Sequence, residues 1–229
     1  MKSTDCPIVT LGKAVKKLTR SEQKRAAILE AASNVFLTKG FETASMDEIA
    51  SIAGVSKRTV YSHFQSKEKL YAGVMTGMCQ GKREDILGSN EPGQDYLDQE
   101  GPIEELLCGL GERFLREVFN DESISLMRIL IGKSDADSEM GQEFFNNGPI
   151  LIINAIRDFF IKTNAEGKTA VDNPQIAAEC LLASFLGARH IQCLVHAETV
   201  PTEEEIRAHV RETLGFMMKG IALRSSNDD

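Results

Sequence analysis

Residues 57–63 (KRTVYSH) bring basic and hydroxyl side chains together within two turns of a helix. Val60 and Phe64 are one turn apart and would face inward, which leaves the polar groups on outward or lateral faces. Such groups donate hydrogen bonds to phosphates and base edges, and one α-helix fits the major groove of B-DNA. The chemistry expected here is therefore nucleic-acid binding, through Lys57, Arg58, Thr59, Ser62 and His63.

Two short helices and a glycine turn must hold these side chains in place. Apolar residues at positions 46, 49, 50 and 53 form one stripe on the first helix, and Ser45 with Glu48 has the spacing of a capping box. Gly54 permits the positive φ of a tight turn, and Ser56 can cap the helix that follows. The pattern over residues 43–70 predicts a helix-turn-helix.

A longer helix precedes this pair. Thr19 and Glu22 predict a capping box at its start, and Gly40 predicts its end. Its apolar positions are spaced for one buried face: Ile28, Ala31, Ala32, Val35 and Phe36. Two helices of about seven residues cannot bury a core between them, so we expect this helix to complete a three-helix unit.

The sign of the net charge also changes between residues 1–70 and the rest of the chain. The net charge is −8, but residues 1–70 hold 12 Lys/Arg against 7 Asp/Glu (net +5), which leaves 14 against 27 (net −13) for the rest. A basic end on an acidic body suits a protein that touches DNA with one domain, although a solvated surface without function would look the same.

Five scattered cysteines, with no C-x-x-C pair, favour reduced thiols over disulfides or structural zinc. No long apolar run or signal region occurs, so we expect a cytoplasmic protein without a membrane span.

The remaining chain is predicted to be helical as well. A fourth helix should begin at residues 66–67 and run to about Leu87, followed by an exposed connection over residues 88–101. Further helices are expected near 102–120, 122–132, 136–146, 149–165, 174–197 and 202–223. The fold class is therefore all-α, with a flexible basic tail (1–18), a DNA-binding domain (19–66) and a helical effector-binding and dimerisation domain (67–229).

The last two predicted helices carry apolar stripes rich in small residues. Such a helix pair can pack against its own copy as a four-helix bundle, which predicts a homodimer. The alternative is that both stripes face the chain's own core. The predicted dimer residues are Ala177, Leu181, Ser184, Ala188, Ile191 and Val195 on the first helix, and Ile206, Val210, Leu214, Met217 and Ile221 on the second.

Methionine and phenylalanine residues spread over several helices predict an apolar pocket for a small effector, although a packed core would use the same residues. The candidate wall residues are Met75, Met78, Phe114, Met127, Phe144, Phe145, Phe159 and Phe185. His190, Cys193 and His196 have helical spacing that a metal or thiol sensor could use. Because a tight metal site needs a further ligand and this helix is expected in the dimer interface, we predict neither a metal nor a cofactor.

The run from about residue 19 to 70, with Phe36, Gly40, Phe41 and the segment IASIAGVSKRTVYSHFQSKEKL, resembles the tetracycline-repressor (TetR) family of bacterial transcription regulators. Residues 128–149 are similar to the carboxy-terminal domain of AefR-type members, although Lys133 stands where that group usually has an acid. The resemblance implies a two-domain homodimer that binds a palindromic operator. It also implies phosphate contacts from Thr43 or Ser45, Tyr61, His63 and Lys67, and base contacts from Lys57, Arg58 and Thr59, in a DNA-binding surface that includes Ser56.

The sequence as a whole predicts a transcription regulator, most simply a repressor that a mainly hydrophobic effector releases from DNA. An enzyme is the competing class, but no phosphate-binding glycine loop or nucleophile elbow is present. A second alternative is a protein of the same fold that binds DNA for an architectural purpose and has no effector. A response to small molecules would separate that alternative from a regulator.

Overall fold

The computed structural model describes residues 19–88, 95–133, 139–196 and 198–219. The predicted tail, residues 1–18, and Ile221 lie outside these ranges. The all-α prediction is confirmed, since no strand occurs within the described chain. In the same ranges, no helix is long and apolar enough to cross a membrane. The helices are α1 (Arg20–Lys39), α2 (Met46–Ile52), α3 (Lys57–His63), α4 (Lys67–Leu87), a 3-10 helix (Tyr96–Asp98), α5 (Ile103–Val118), α6 (Asp121–Lys133), α7 (Glu139–Asn147), α8 (Pro149–Ala165), α9 (Pro174–Leu194) and α10 (Glu203–Lys219).

Reciprocal capping boxes begin two of the long helices. At α1, the Glu22 amide donates to the Thr19 hydroxyl at 3.2 Å, and the Thr19 amide donates to the Glu22 carboxylate at 2.7 Å. Thr202 and Glu205 make the same pair of bonds before α10, at 3.3 and 2.7 Å. The box predicted at Thr19 is confirmed, and both boxes satisfy backbone donors that a helix start leaves free.

The start of α2 differs from the prediction in one bond. Ser45 caps the helix by accepting the Glu48 amide at 3.2 Å. The Glu48 carboxylate, however, accepts from Lys39 Nζ at 2.5 Å. Only half of the predicted capping box therefore forms, because a lysine at the end of α1 offers the carboxylate a charged partner.

A closely packed amino-terminal core joins α1, α2 and α3 to α4. Phe36 stacks on Phe41, and the Tyr71 ring packs edge-on against both, with ring centroids 5.3 to 5.6 Å apart. The Tyr71 hydroxyl donates to the backbone carbonyl of Leu126 on α6. Leu126, Leu130 and Met140, from α6 and α7, complete this core. The predicted domain boundary at residue 66 therefore cuts across a core that continues into later helices.

The second core lies among α5, α8, α9 and α10. Leu97 of the 3-10 helix is buried in it, and Gly88 forms a β-bridge with Asp95. The predicted exposed connection at 88–101 is thus wrong for Leu97, because one apolar side chain ties the segment to the core. Residues 89–94 of that connection lie outside the described ranges.

Helix α9 is kinked at Gly187, whose φ of 55° and ψ of −167° are available to glycine and strained for other residues. His209 Nε2 of α10 lies 2.8 Å from the carbonyl oxygen of Phe185, close to the kink. A side chain of α10 therefore satisfies a carbonyl beside the break in the helix.

Candidate nucleic-acid interface and cavity

The helix-turn-helix forms as its local signals predict. Gly54 adopts φ 65° in the turn, and Ser56 caps α3 by accepting the Thr59 amide at 3.1 Å. Val60 and Phe64 are buried, as expected of the inward pair. These contacts fix α3 from one side and leave its other faces to solvent.

The two cations at the start of α3 differ in their partners. Lys57 Nζ lies 2.8 to 2.9 Å from the Asp47 carboxylate, and the hydrogen bond and charge of Asp47 raise the pKa of Lys57. Arg58 is exposed, and no described residue forms an ion pair or hydrogen bond with its guanidinium. Arg58 therefore has the donors most available for a new partner.

The hydroxyl groups of this surface already make local hydrogen bonds. The Ser56 and Thr59 hydroxyls lie 2.8 Å apart, and the Thr43 hydroxyl donates to the Lys39 carbonyl. Tyr61 is exposed by 44%. His63 is half-buried, with its ring 6.4 Å from that of Phe64. Tyr61 thus offers a freer contact than these neighbours.

A groove of about 500 Å³ brings four of the predicted DNA-binding residues together at the starts of α2, α3 and α4. Ser45, Lys57, Tyr61 and Lys67 line it, together with Asp47. Amides at helix starts and lysine side chains both favour an anion. The groove therefore combines groups that suit an anion with the Asp47 carboxylate, to which Lys57 is paired.

Lys67 lies in this groove, but its hydrogen bonds stabilise the fold. Its Nζ donates to the backbone carbonyls of Phe41, Glu42 and Ala44 at 2.7, 3.2 and 3.1 Å, and it sits 4.6 Å from the Phe41 ring centroid. An ammonium has three donors, so all of them are occupied. Lys67 fastens the start of α4 to the α1–α2 turn, and this contact competes with the predicted phosphate contact.

A largely apolar cavity lies among α4, α5, α6, α7 and α8. It encloses about 100 Å³, or about 630 Å³ when its open mouth is counted. Met78, Phe114, Met127 and Phe144 line it, so half of the predicted pocket residues meet at one cavity. Ile86, Val118, Ile124, Pro149 and Ile152 complete the apolar wall.

The other four predicted wall residues lie elsewhere, and we correct the predicted lining accordingly. Met75 is buried in the amino-terminal core, and Phe185 is buried in the second core against Gly111. Phe159 borders a separate, more polar cavity, whereas Phe145 is 44% exposed. Periodicity identified buried faces of these helices without distinguishing a packed core from a cavity.

Polar residues of the same wall were not predicted. Cys79, Lys82 and Arg83 extend from α4, Glu117 from α5, and His190 from α9. On α4 the spacing of 79, 82, 83 and 86 places these side chains on one face, which is the sequence signal that could have indicated them. His190 comes from a distant part of the chain, and its helical spacing with Cys193 and His196 did not indicate this wall.

Most of these polar groups are neutralised within the wall. Lys82 Nζ donates to the Glu117 carboxylate at 3.0 Å and to its backbone carbonyl at 2.9 Å. Burial raises the pKa of the Cys79 thiol to about 11 and lowers the pKa of His190. The ring of His190 packs edge-on against Phe119, with centroids 6.1 Å apart. The wall thus presents an ion pair, a neutral thiol and a His190 ring whose neutral form is favoured.

The predicted dimer residues of α10 face the chain's own core. Ile206, Val210 and Leu214 are buried among residues of the second core, and Met217 packs against them. Leu181 of α9 is buried there too, with Ala177 packed beside it and Ser184 half-buried. Placing the buried residues Leu181, Ile206, Val210 and Leu214 in a dimer interface was therefore wrong, because an apolar stripe indicates burial without saying which chain supplies the partner.

The other faces of these helices expose apolar side chains. Ala188, Ile191 and Val195 from the predicted set are exposed on or just after α9. Ile176 at the start of α9 and Phe216 and Met218 on α10 are exposed by more than half. We call this set of exposed apolar side chains on two neighbouring helices the α9–α10 face.

The three candidate sensor residues are used differently in the structure. His190 lines the apolar cavity, the Cys193 thiol is buried 3.4 Å from the Thr199 carbonyl oxygen, and His196 is exposed. Within the described ranges, no group of three or more His, Cys, Asp or Glu side chains could hold a metal ion.

Comparisons with known proteins agree with this architecture. Residues 28–74 match the model of the bacterial regulatory proteins of the TetR family, and residues 105–220 match that of the AefR-like transcriptional repressor carboxy-terminal domain. The transcriptional activator FasR of Mycolicibacterium smegmatis is 50% identical over 54 residues, which are 24% of this chain and 25% of FasR. The match to this curated relative thus spans about a quarter of its length.

Two solved structures are similar over most of the chain. A TetR-family transcriptional regulator from Mesorhizobium loti MAFF303099 is 25% identical with a TM-score of 0.77, covering 86% of this chain and 96% of that one. The flavonoid-responsive regulator FrrA is 27% identical with a TM-score of 0.67 over the same shares. The relatives are regulators of transcription rather than enzymes. With an AefR-like model covering half of its residues, this chain belongs to the TetR family of transcription regulators.

Proposed function

We propose that this protein is a sequence-specific repressor that binds a palindromic operator in the bacterial cytoplasm and is released by a small, mainly hydrophobic effector. The observation that carries the proposal is the outward face of α3, where Arg58 and Tyr61 are exposed beside a groove that Lys57 also lines. A helix fastened on its inner side and cationic on its outer side suits a major groove.

The partners of each side chain suggest how the contacts divide. Arg58 is assigned to base edges, because its guanidinium fork can bind guanine in the major groove. Lys57 is assigned to a phosphate reached by exchanging its Asp47 partner, and Tyr61 to a phosphate at the groove. Ser45 and Ser56 present capped helix starts, while Thr43, Thr59 and His63 are secondary contacts. Lys67 is assigned to positioning the α1–α2 turn.

Helix α4 is the proposed connection between effector and DNA. Met78, Lys82 and Arg83 on α4 line the cavity, and Lys67 at the start of the same helix holds the α1–α2 turn. A rigid helix carries a displacement at one end to the other. We therefore propose that an effector between α4 and α5 tilts α4 and shifts the helix-turn-helix.

We propose that the α9–α10 face forms the homodimer. TetR-family regulators bind DNA generally as dimers, and a two-fold axis would set two copies of α3 at a fixed spacing. Successive major-groove faces repeat every ~34 Å, so a change in that spacing would cost one half-site. The flavonoid response of FrrA supports a small aromatic or similarly apolar effector for this chain.

The test is DNA binding by Arg58→Ala and Tyr61→Ala, measured by fluorescence anisotropy on the protein's own upstream region. Loss of a bidentate guanine contact costs about 1–3 kcal/mol, roughly a 5- to 150-fold weaker Kd, so we expect that range for Arg58→Ala. Lys168→Ala, which removes an exposed cation after α8, should bind as wild type does. Unchanged affinity in both α3 variants would refute the assignment of α3 as the reader.

A further inference from the structure

The cavity wall contains one charged group whose hydrogen-bonding capacity is incompletely used. The Nη1 atom of Arg83 is buried and has no hydrogen-bond partner among the described residues. Its other terminal nitrogen, Nη2, lies 4.0 Å from the Asp95 carboxylate, which is beyond hydrogen-bond distance. Arg83 therefore keeps a free, buried donor beside an apolar space.

The neighbouring polar groups do not supply the missing acceptor. Glu117 is engaged by Lys82, and the Ser123 hydroxyl donates to the Glu117 carbonyl at 2.8 Å. The Asp95 carboxylate accepts the Leu97 amide at 3.4 Å and forms a loose ion pair with Arg83 Nη2. Burial raises the pKa of Asp95, whereas the charge of Arg83 lowers it. Asp95 thus offers Arg83 a charge at 4.0 Å without a hydrogen bond, and Nη1 finds no acceptor among these groups.

An unsatisfied buried donor is costly, and the cost is greater for a charged group. Folded proteins contain few such groups, and a bound molecule is one way in which they are satisfied. A guanidinium carries a permanent positive charge and binds a carboxylate with two parallel hydrogen bonds. The rest of the wall, including Phe114, Met127 and Ile152, would surround an apolar body.

We propose that the cavity takes a small apolar carboxylic acid, with its carboxylate bound by Arg83 and its apolar body between α4, α5 and α6. This inference rests on the proposed effector cavity and specifies the chemical class of its ligand. Arg83 lines both this cavity and the polar cavity that contains Asp95, Asn154 and Lys162. Its guanidinium therefore stands where an apolar ligand's acidic end would meet a polar region.

The test compares matched acids and alcohols by calorimetry on the full chain without DNA. The probes are 3-phenylpropionate with 3-phenylpropan-1-ol, and cyclohexylacetate with 2-cyclohexylethanol. Wild type should bind at least one acid about tenfold or more tightly than its alcohol, as expected of a charge-assisted hydrogen bond. Arg83→Met should abolish that preference, and Arg83→Lys should restore only part of it, since an ammonium lacks the fork.

Arg211→Met is the matched control, because it removes an arginine from the exposed side of α10. It should retain the preference for the acid. In the ligand-free protein, Arg83→Met should leave the thermal midpoint unchanged or raise it. The reason is that the substitution removes a buried donor that has no hydrogen-bond partner among the described residues. A lowered midpoint would identify Arg83 as a structural brace and overturn the proposal.

Equal binding of acid and alcohol, or no binding of any probe, would also overturn the assignment of an acid. These outcomes are separable from a failure of the proposed function. If an acid binds through Arg83 but leaves DNA affinity unchanged, the carboxylate site stands and the effector role fails. If Arg58→Ala binds DNA as wild type does, the reading helix is wrong while the cavity result is unaffected.

Discussion

The amino-terminal core and the cavity beside α4 are built from similar residues but packed differently. In the core, the rings of Phe36, Phe41 and Tyr71 are in close contact, and Lys67 donates all of its hydrogen bonds to backbone carbonyls. In the cavity, Phe114 borders empty space and Arg83 retains a buried donor without a partner among the described residues. One region is therefore completed by its own chain, whereas the other leaves room for a second molecule.

The largest predicted effect separates the two regions by packing. Phe36→Ala removes a fully buried ring from the core and should destabilise the protein by about 3–5 kcal/mol. Phe114→Ala truncates a ring that already borders the cavity, so its loss should be clearly smaller. Urea denaturation of both variants measures the difference. Equal losses would show that the cavity wall is as closely packed as the core.

A smaller effect should distinguish the two lysines of α4. Lys67→Ala leaves backbone carbonyls of the α1–α2 turn without their donor and should cost about 1–3 kcal/mol. Lys82→Ala breaks a partly exposed pair with Glu117 and should cost less. Denaturation midpoints report both losses. A larger loss of stability in Lys82→Ala than in Lys67→Ala would contradict the role of Lys67 in fastening α4.

The smallest predicted effect concerns pH. Burial lowers the pKa of His190 from its ordinary value of 6.5, so the unfolded chain binds a proton that the folded chain resists. Stability should therefore be full above about pH 6.5 and decline as the pH falls through that value. Lys82, Arg83 and Glu117 face the same cavity, so variants must be compared at each pH.

Denaturation of wild type and His190→Gln at pH 7.5 and 5.5 isolates this contribution. The decline between the two pH values should be smaller in the variant. His196→Gln, at an exposed position, should decline as wild type does. An identical decline in all three proteins would mean that His190 does not resist protonation.

The helix-turn-helix could be predicted from sequence because its determinants act between near neighbours. Ser56 caps its own helix, Gly54 sets its own turn, and Val60 and Phe64 are one turn apart. The Glu48 bond was mispredicted because Lys39, nine residues away, offered a stronger partner. Local rules succeed until a charged group from another element intervenes.

The later helices depend on packing that periodicity does not specify. The stripe of Ile206, Val210 and Leu214 was correctly identified as apolar, but it packs within the chain and not against a second copy. The cavity gathers residues from α4 to α9, and its wall includes charged side chains that resemble ordinary surface residues in sequence. Arg83 became a candidate only when its missing hydrogen bond could be seen.

The most direct test of α3 as the DNA reader is a selection of bound sequences from a random DNA library. Wild type should enrich a two-fold symmetric motif, with half-sites separated by about one helical turn or a multiple of it. Arg58→Ala should lose or relax specific positions within each half-site. If wild type enriched no motif, or if Arg58→Ala enriched the same motif as wild type, α3 would not be the DNA reader.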